Sequence, residues 1–443
     1  MATLVEETTD LLQHLIRNEC VNDGTAGSGH EARSVDTLEA YLRAPGVELE
    51  RYESAPGRGN LVLRIEGTDR SAPSLHLMGH TDVVPVNRAG WRHDPFGGEI
   101  IEGEVWGRGA LDMLDVTASM AVAVKKLVAS GHRPRGTLVY TAVADEEALG
   151  TYGAQWLTEH KWDAVRTDYL VTEFGGARFP IGSGVKLPIM TAEKGSQWTR
   201  LRVKGTPGHG SMPYKSDNAL VKASELVTRI ARYKAPLHLQ DLWKQFVEGI
   251  DLPAVQRIAL TTPATFDAAL DRMPDGVDKM AYAATRTTLS PNIARAGVKT
   301  NIIPDTAEIE IDIRTLPGDD GDGVRAMLRE AAGDLWKDVE ITDEGDNPAT
   351  ASPTKTPLWD ALTKVTQRLV PGSTTVPFLI VGATDARFFR RKGVVAYGYG
   401  LMSERIPFGE FAKLFHGNNE RVDTDTLALM TPLWEGVIRE VVA

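Results

Sequence analysis

Between Leu75 and Asp115 a short apolar burst gives way to a series of ligand-type side chains, and this restricts the fold more than any other part of the chain. Leu75, Leu77 and Met78 read as a buried strand. The strand runs out into Gly79-His80-Thr81-Asp82. Residues two apart leave a strand on the same side, so an imidazole and a carboxylate emerge together. About one helix-length later, Gly107-Arg108-Gly109 permits a tight loop that delivers Asp112. A His and an Asp on separate loops above strand ends, with a second Asp free to orient the His, is the pattern of a zinc site and the groups behind its ligands. The plainer reading is a surface loop of ordinary polar residues.

The rest of the first half repeats this arrangement. An amphipathic N-terminal helix carries Val5, Leu11, Leu12, Leu15 and Ile16. Strands are expected at 61–65, 75–78, 137–144 and 169–172, with helices at 35–42, 116–127 and 152–159. Strands alternating with helices predict an α/β layer, in which functional groups gather at strand carboxyl ends. His80, Glu146-Glu147 and Glu173 all stand at such ends. From about Met190 the character changes. Residues 198–203 and 306–313 alternate like half-exposed strands around a helix at 218–233, with a long irregular stretch from Ala235 to Pro291. A helix at 322–332, strands at 377–381 and 394–397, and helices at 385–391 and from Thr424 follow. The expected organisation is a catalytic domain in two parts, 1–190 and 318–443, with an inserted α+β domain at 191–317.

Composition narrows the chemistry. At 443 residues two domains are the default. A net charge of −11 argues against a nucleic-acid or anionic-membrane partner. The single cysteine, Cys20, excludes a disulfide framework and a thiolate cluster, so any metal must be held by His, Asp and Glu. There is no basic, apolar leader pattern and no stretch of transmembrane length, and the expected location is cytoplasmic.

Adjacent carboxylates such as Glu146 and Glu147 are most often simply solvated. At a strand end facing other acidic ligands they can divide labour, one binding metal while the other stays free as a general base. Glu173 alone is equally compatible with either reading. His416, in Phe415-His416-Gly417-Asn418-Asn419-Glu420, is the imidazole left for a second metal, although an isolated His is more often structural.

The motifs GHTDVVP, GRGALDM, ADEEALG, VTEFGG, GHGSMP, TNIIP…DIR, GATDARF and FHGNNE occur in one order. In that order the chain resembles, over nearly its whole length, the zinc exopeptidase/deacylase family of acetylornithine deacetylase, succinyl-diaminopimelate desuccinylase, aminoacylase and glutamate carboxypeptidase. The resemblance implies a mixed-sheet α/β zinc-hydrolase domain with an inserted α+β lid and dimerisation domain. It implies two Zn2+ per chain, with Co2+ or Mn2+ as substitutes: His80 and Glu173 would hold one, Glu147 and His416 the other, and Asp112 would bridge them. Asp82 would orient His80. Glu146 would be the base that deprotonates a metal-activated water attacking an amide carbonyl. His209, often acting on the partner subunit of a homodimer, would stabilise the oxyanion. Asn301, Arg314 and Gly382 would hold the substrate, Arg314 by a bidentate grip on its free carboxylate.

Two departures stand out. Lys and Gly often follow the Asp-Met of the bridging motif, and here Leu114 and Asp115 stand instead. The stretch 235–291, with Trp243, Phe246 and Met280, either enlarges an apolar substrate wall or packs the lid. The activity expected is hydrolysis of an N-acyl amino acid or small peptide beside a free carboxylate. The alternatives are a dipeptidase of the same family and a non-catalytic metal-binding homologue.

Overall fold

The computed structural model describes residues 3–45 and 47–442. Its central feature is a nine-stranded mixed sheet. The strands run in the order Leu49–Glu53, Gly59–Ile65, Leu138–Val143, Leu75–His80, Tyr169–Thr172, Val395–Gly398, Val185–Glu193 and Thr350–Ala351, with Ser373–Ile380 also paired to Val185–Glu193. Leu75–His80 is parallel to both Leu138–Val143 and Tyr169–Thr172, which brings three carboxyl ends to one rim. Leu138–Val143 and Leu75–His80 are buried along their whole length, as expected of strands covered on both faces.

Helices Leu4–Arg17, Leu114–Ala129, Pro357–Leu369 and Thr424–Val442 cover one face through Leu12, Leu15, Val122, Leu362, Leu433 and Trp434. The first helix starts on a reciprocal cap: Thr3 Oγ1 accepts from Glu6 N, and Thr3 N donates to the Glu6 carboxylate. The opposite face carries Ala386–Arg391 and Ala154–His160, which bury Phe389 and Leu157 against Val62, Met78 and Val139. No helix among the described residues is long and apolar enough to cross a membrane.

A second, antiparallel sheet has the order Thr288–Ala296, Thr306–Thr315, Thr199–Lys204, Val339–Glu344. The alternation in Thr306–Thr315 turns Ala307, Ile309, Ile311 and Ile313 onto helices Ala219–Arg232 and Gly321–Ala332. The last strand of this sheet, and the helix before it, lie past residue 317, where the inserted segment was expected to end. Val339–Glu344 is short and carries only two large apolar side chains, Val339 and Ile341, so its pairing leaves little local signal.

The stretch 235–291 is not irregular. It forms four helices, Asp241–Gly249, Ala254–Thr261, Pro263–Leu270 and Val277–Thr285. Each is only eight or nine residues long and Pro253, Pro263 and Pro274 punctuate them, which blurs a 3.6-residue period. Trp243, Phe246, Val247 and Ile250 are buried against Phe179, Val376 and Phe378 of the larger body. Trp243 and Phe246 therefore pack helices onto the edge of the first sheet, and Met280 lies against the same cluster.

Candidate metal centre

His80 ends its strand and is buried. Its Nδ1 lies 2.9 Å from the backbone oxygen of Asp82. A carbonyl can only accept, so Nδ1 carries the proton of the neutral ring and Nε2 presents a lone pair. Nε2 is buried with no hydrogen-bond partner, 3.4 Å from Asp112 Oδ1 and 3.8 Å from Glu173 Oε2. The other Asp112 oxygen, Oδ2, is 3.3 Å from His416 Nε2, which is 3.1 Å from Glu147 Oε2. Two triads result, His80–Asp112–Glu173 and Asp112–Glu147–His416, each able to offer one ligand atom per residue within 4.8 Å of the others. Asp112 belongs to both.

The local chain explains these positions. Glu173 directly follows the strand Tyr169–Thr172, and Glu146 and Glu147 lie just past Leu138–Val143. Asp145 turns that corner with a φ of 71°, and its carboxylate is held by Arg58 Nη2 at 2.7 Å, Asn22 Nδ2 at 3.0 Å and Tyr152 N at 3.0 Å. Arg58 is buried and forked onto Glu31 at 2.6 and 2.8 Å. Asp82 keeps its carboxylate 3.6 Å from His80 Nδ1 and spends it elsewhere: it accepts from Asn22 Nδ2 at 2.8 Å and from the N–H groups of Glu146 and Glu147. Its backbone carbonyl, rather than its carboxylate, makes the contact to His80.

Asp82, Asp112, Glu146, Glu147 and Glu173 crowd around two imidazoles. Burial and the Glu173 charge hold Glu146 well above the usual carboxylate range. Burial and Asp112 push Glu147 up to about 7 and Glu173 up to about 8. Burial opposes a charge on His80, but the facing carboxylates of Asp112 and Glu173 outweigh it and raise that imidazole. Asp112 and Glu147 raise His416 to about 10. Desolvating a single carboxylate costs several kcal/mol even after relaxation, and two imidazoles cannot neutralise five of them. Divalent cations would. The donor set is all nitrogen and oxygen, and the buried, unpartnered atoms His80 Nε2 and Glu147 Oε1 fit metal ligation.

The two residues that stand in place of Lys and Gly after Asp112-Met113 differ in their surroundings. Leu114 joins the core. Asp115 is buried with Oδ1 on Val116 N at 2.8 Å and Oδ2 unpartnered, and burial holds its carboxyl well above the usual range.

The remaining expected residues sit on other elements. His209 is exposed on Gly208–His209, paired with Ile302–Ile303, and its Nδ1 is 2.7 Å from Ser211 Oγ. Asn301 is next to it, its carbonyl accepting Gly210 N at 2.8 Å. Arg314, one-quarter exposed, pairs through Nε with Asp312 Oδ1 at 2.7 Å beside the Trp198 ring. Among the described residues, no hydrogen bond or ion pair joins these three to the triads. Gly382 begins an open loop in which a Cβ would meet nothing within 4 Å. Two residues on, Thr384 gives its N–H to Glu193 at 2.6 Å.

Sequence reasoning missed the groups behind the ligands: Asn22, Glu31, Arg58, Asp145, Arg108 and Glu420. Arg108 and Glu420 stand inside the motifs GRGALDM and FHGNNE, so the signal was present, but only the fold brings the two motifs together.

The chain is similar to known proteins over most of its length. The profile of Peptidase family M20/M25/M40 matches residues 76–440. Human aminoacylase-1 is 27% identical over 402 residues, covering 88% of this chain and 85% of that protein. The N-fatty-acyl-amino acid synthase/hydrolase PM20D1 of Xenopus tropicalis is 26% identical, covering 88% of this chain and 77% of that protein. Among solved structures, the M20 family metallo-carboxypeptidase Sso-CP2 of Sulfolobus solfataricus superposes with a TM-score of 0.70 at 17% identity, covering 98% of this chain and 99% of that one. The dinuclear metal-binding peptidase YXEP of Bacillus subtilis does so at 0.60 and 13%, covering 98% of each chain.

Proposed function

This chain belongs to Peptidase family M20/M25/M40, and from that premise we propose that it is a dinuclear zinc hydrolase that cleaves N-acyl amino acids at the amide beside a free carboxylate. The observation that carries the reading is the sharing of Asp112: one oxygen faces His80 and the other faces His416, so a single carboxylate serves two triads. Zinc bound there would act as a Lewis acid and lower the pKa of water.

The chain's own residues divide the remaining work. His80 and Glu173 hold one position, Glu147 and His416 the other, and Asp112 both. The Glu146 side chain makes no hydrogen bond among the described residues, and its raised proton affinity suits a base that takes a proton from water and returns it to the leaving amine. Arg314 offers a planar fork to the substrate carboxylate in exchange for Asp312. Gly382 leaves room for the substrate backbone beside the Thr384 loop.

Two features bear on the substrate and the assembly. Phe174, which follows Glu173, stacks on Phe415, which precedes His416, with ring centroids 5.3 Å apart, and Phe411 joins them at 4.9 Å. This apolar wall beside the ligands suits an apolar acyl group. The second sheet serves as lid and dimerisation domain. Its edge strand Thr288–Ala296 is unpaired on one side, and Met212, Tyr214, Val221, Val298 and Ile302 are exposed nearby, Val298 at 93%. His209 lies in this surface, which supports its action on a partner's site.

The experiment is metal analysis combined with turnover on a panel of N-acyl amino acids, their amidated analogues and dipeptides. Two equivalents of metal and preference for apolar acyl amino acids are expected. Preference for dipeptides would favour the dipeptidase reading, and metal binding without turnover the non-catalytic one.

A further inference from the structure

Asp112 and His416 reach the centre from loops far apart in the chain, and a buried ion pair lies between those loops. Glu420 and Arg108 are both buried. Glu420 Oε1 accepts the N–H of Leu111 at 2.9 Å and of Asp112 at 3.1 Å, and Oε2 accepts Arg108 Nη1 at 2.6 Å. Arg108 Nη2 then donates to the backbone oxygen of His416 at 3.2 Å. One carboxylate thus fixes the peptide that carries the shared ligand, and one guanidinium ties that carboxylate to the other ligand's backbone. His416 needs such a tie: its φ of 55° lies in the left-handed region, which a non-glycine residue adopts only under restraint, and its side chain is 56% exposed. His80, by contrast, is enclosed on its strand at 1% exposure.

We propose that Arg108 and Glu420 are a positioning pair for the metal centre, setting Asp112 and His416 in register and governing chiefly the ion held by Asp112, Glu147 and His416. The proposal rests on the dinuclear reading above. The pair touches neither substrate nor metal and acts through the backbone of two ligands. Its two members differ in reach. Glu420 fixes Asp112, which both ions share. Arg108 adds the contact to His416, which serves one ion only.

The test uses the full chain, stripped of metal and titrated with Zn2+ against a chromophoric chelator. Arg108→Lys keeps a cation beside Glu420 but cannot fork onto the His416 carbonyl. It should weaken the second Zn2+ by about 10–100-fold, the range for losing a group behind a ligand, and leave the first within about threefold. Glu420→Gln should weaken both, the second more. In both variants the melting temperature of the metal-free protein should change little, and turnover should recover at saturating Zn2+. If Arg108→Lys binds both ions as wild type does, the proposal is overturned. It is also overturned if both constants fall together with the metal-free melting temperature, because the pair then only supports the fold. Should Glu420→Gln not fold, Arg108→Lys alone decides. A wild-type chain that binds one Zn2+ or none overturns the dinuclear reading and this proposal with it, whereas a two-ion wild type with an unaltered Arg108→Lys overturns this proposal alone.

Discussion

Glu146 and Glu147, consecutive in the chain, give their backbone N–H groups to the two oxygens of one carboxylate, Asp82 Oδ1 at 3.2 Å and Oδ2 at 3.1 Å. The shared anchor fixes the loop while the two side chains part. Only Glu147 meets an imidazole, His416 at 3.1 Å. The same chemical change should therefore have opposite consequences at the two positions. Glu146→Gln should keep its metal and fold while turnover falls at least ~10²-fold, the scale for losing a general base. Glu147→Gln should lose or weaken one equivalent of metal, since a neutral amide replaces a carboxylate ligand. Metal content of both purified variants checks this, and a metal-poor Glu146→Gln would mean that the roles are exchanged.

Arg314 and Asp312 form a pair that a substrate carboxylate must enter. Arg314→Ala should raise KM strongly for substrates with a free α-carboxylate and narrow their advantage over amidated analogues. Asp312→Asn frees the guanidinium and should lower KM for the same substrates. Wild-type turnover that ignores amidation would refute the clamp.

His209 is exposed and remote from its own chain's triads in hydrogen bonding. Mixing inactive Glu146→Gln chains with inactive His209→Ala chains should restore part of the activity in heterodimers. No recovery after verified subunit exchange would place His209 in its own chain's site or outside the mechanism.

Lys194 gives a pH test in the fold between the two sheets. Its Nζ donates to the carbonyls of Ala283 and Arg286 at 3.0 and 2.8 Å. Burial, with the Arg314 charge second, pushes it down to about 7 from 10.5. Between those values the unfolded lysine holds a proton that the folded one has released, so this group makes stability rise with pH and costs the fold most below pH 7. Lys194→Met removes that slope. Urea unfolding should show wild type gaining on the variant between pH 6.5 and 9.5, by about 3 kcal/mol. A difference independent of pH would mean that the ammonium stays charged throughout.

Asp115 lies buried behind Asp112 with its carboxyl favouring the protonated form. Asp115→Asn then exchanges one neutral group for another of like shape, and the melting temperature at pH 7 should move by less than the equivalent of about 1 kcal/mol. A large loss would show that the carboxyl is ionised.

The α/β class, most elements of the first sheet, and the strand-end candidates His80, Glu146, Glu147 and Glu173 were legible in the chain because their signals are local, whereas the grouping of ligands into two sets around Asp112 was implied by the family resemblance. An apolar burst followed by His80, or a β-prone run followed by Glu146-Glu147, marks a strand end with a ligand, and one parallel rim gathers such ends. The four helices within 235–291 were not legible, because each is short and its apolar face is explained only by Phe179 and Phe378 from distant segments. The extension of the second sheet to Val339–Glu344 was likewise hidden, since strand pairing is a long-range choice that a short strand does not announce. Residue types determined which groups could bind metal. The tertiary structure alone decided what holds them: Asp82 meets the Glu146–Glu147 loop with its carboxylate and His80 with its carbonyl, and Glu420 crosses to Asp112. A hydrogen bond depends on where two backbones meet in space, and sequence spacing carries no record of that meeting.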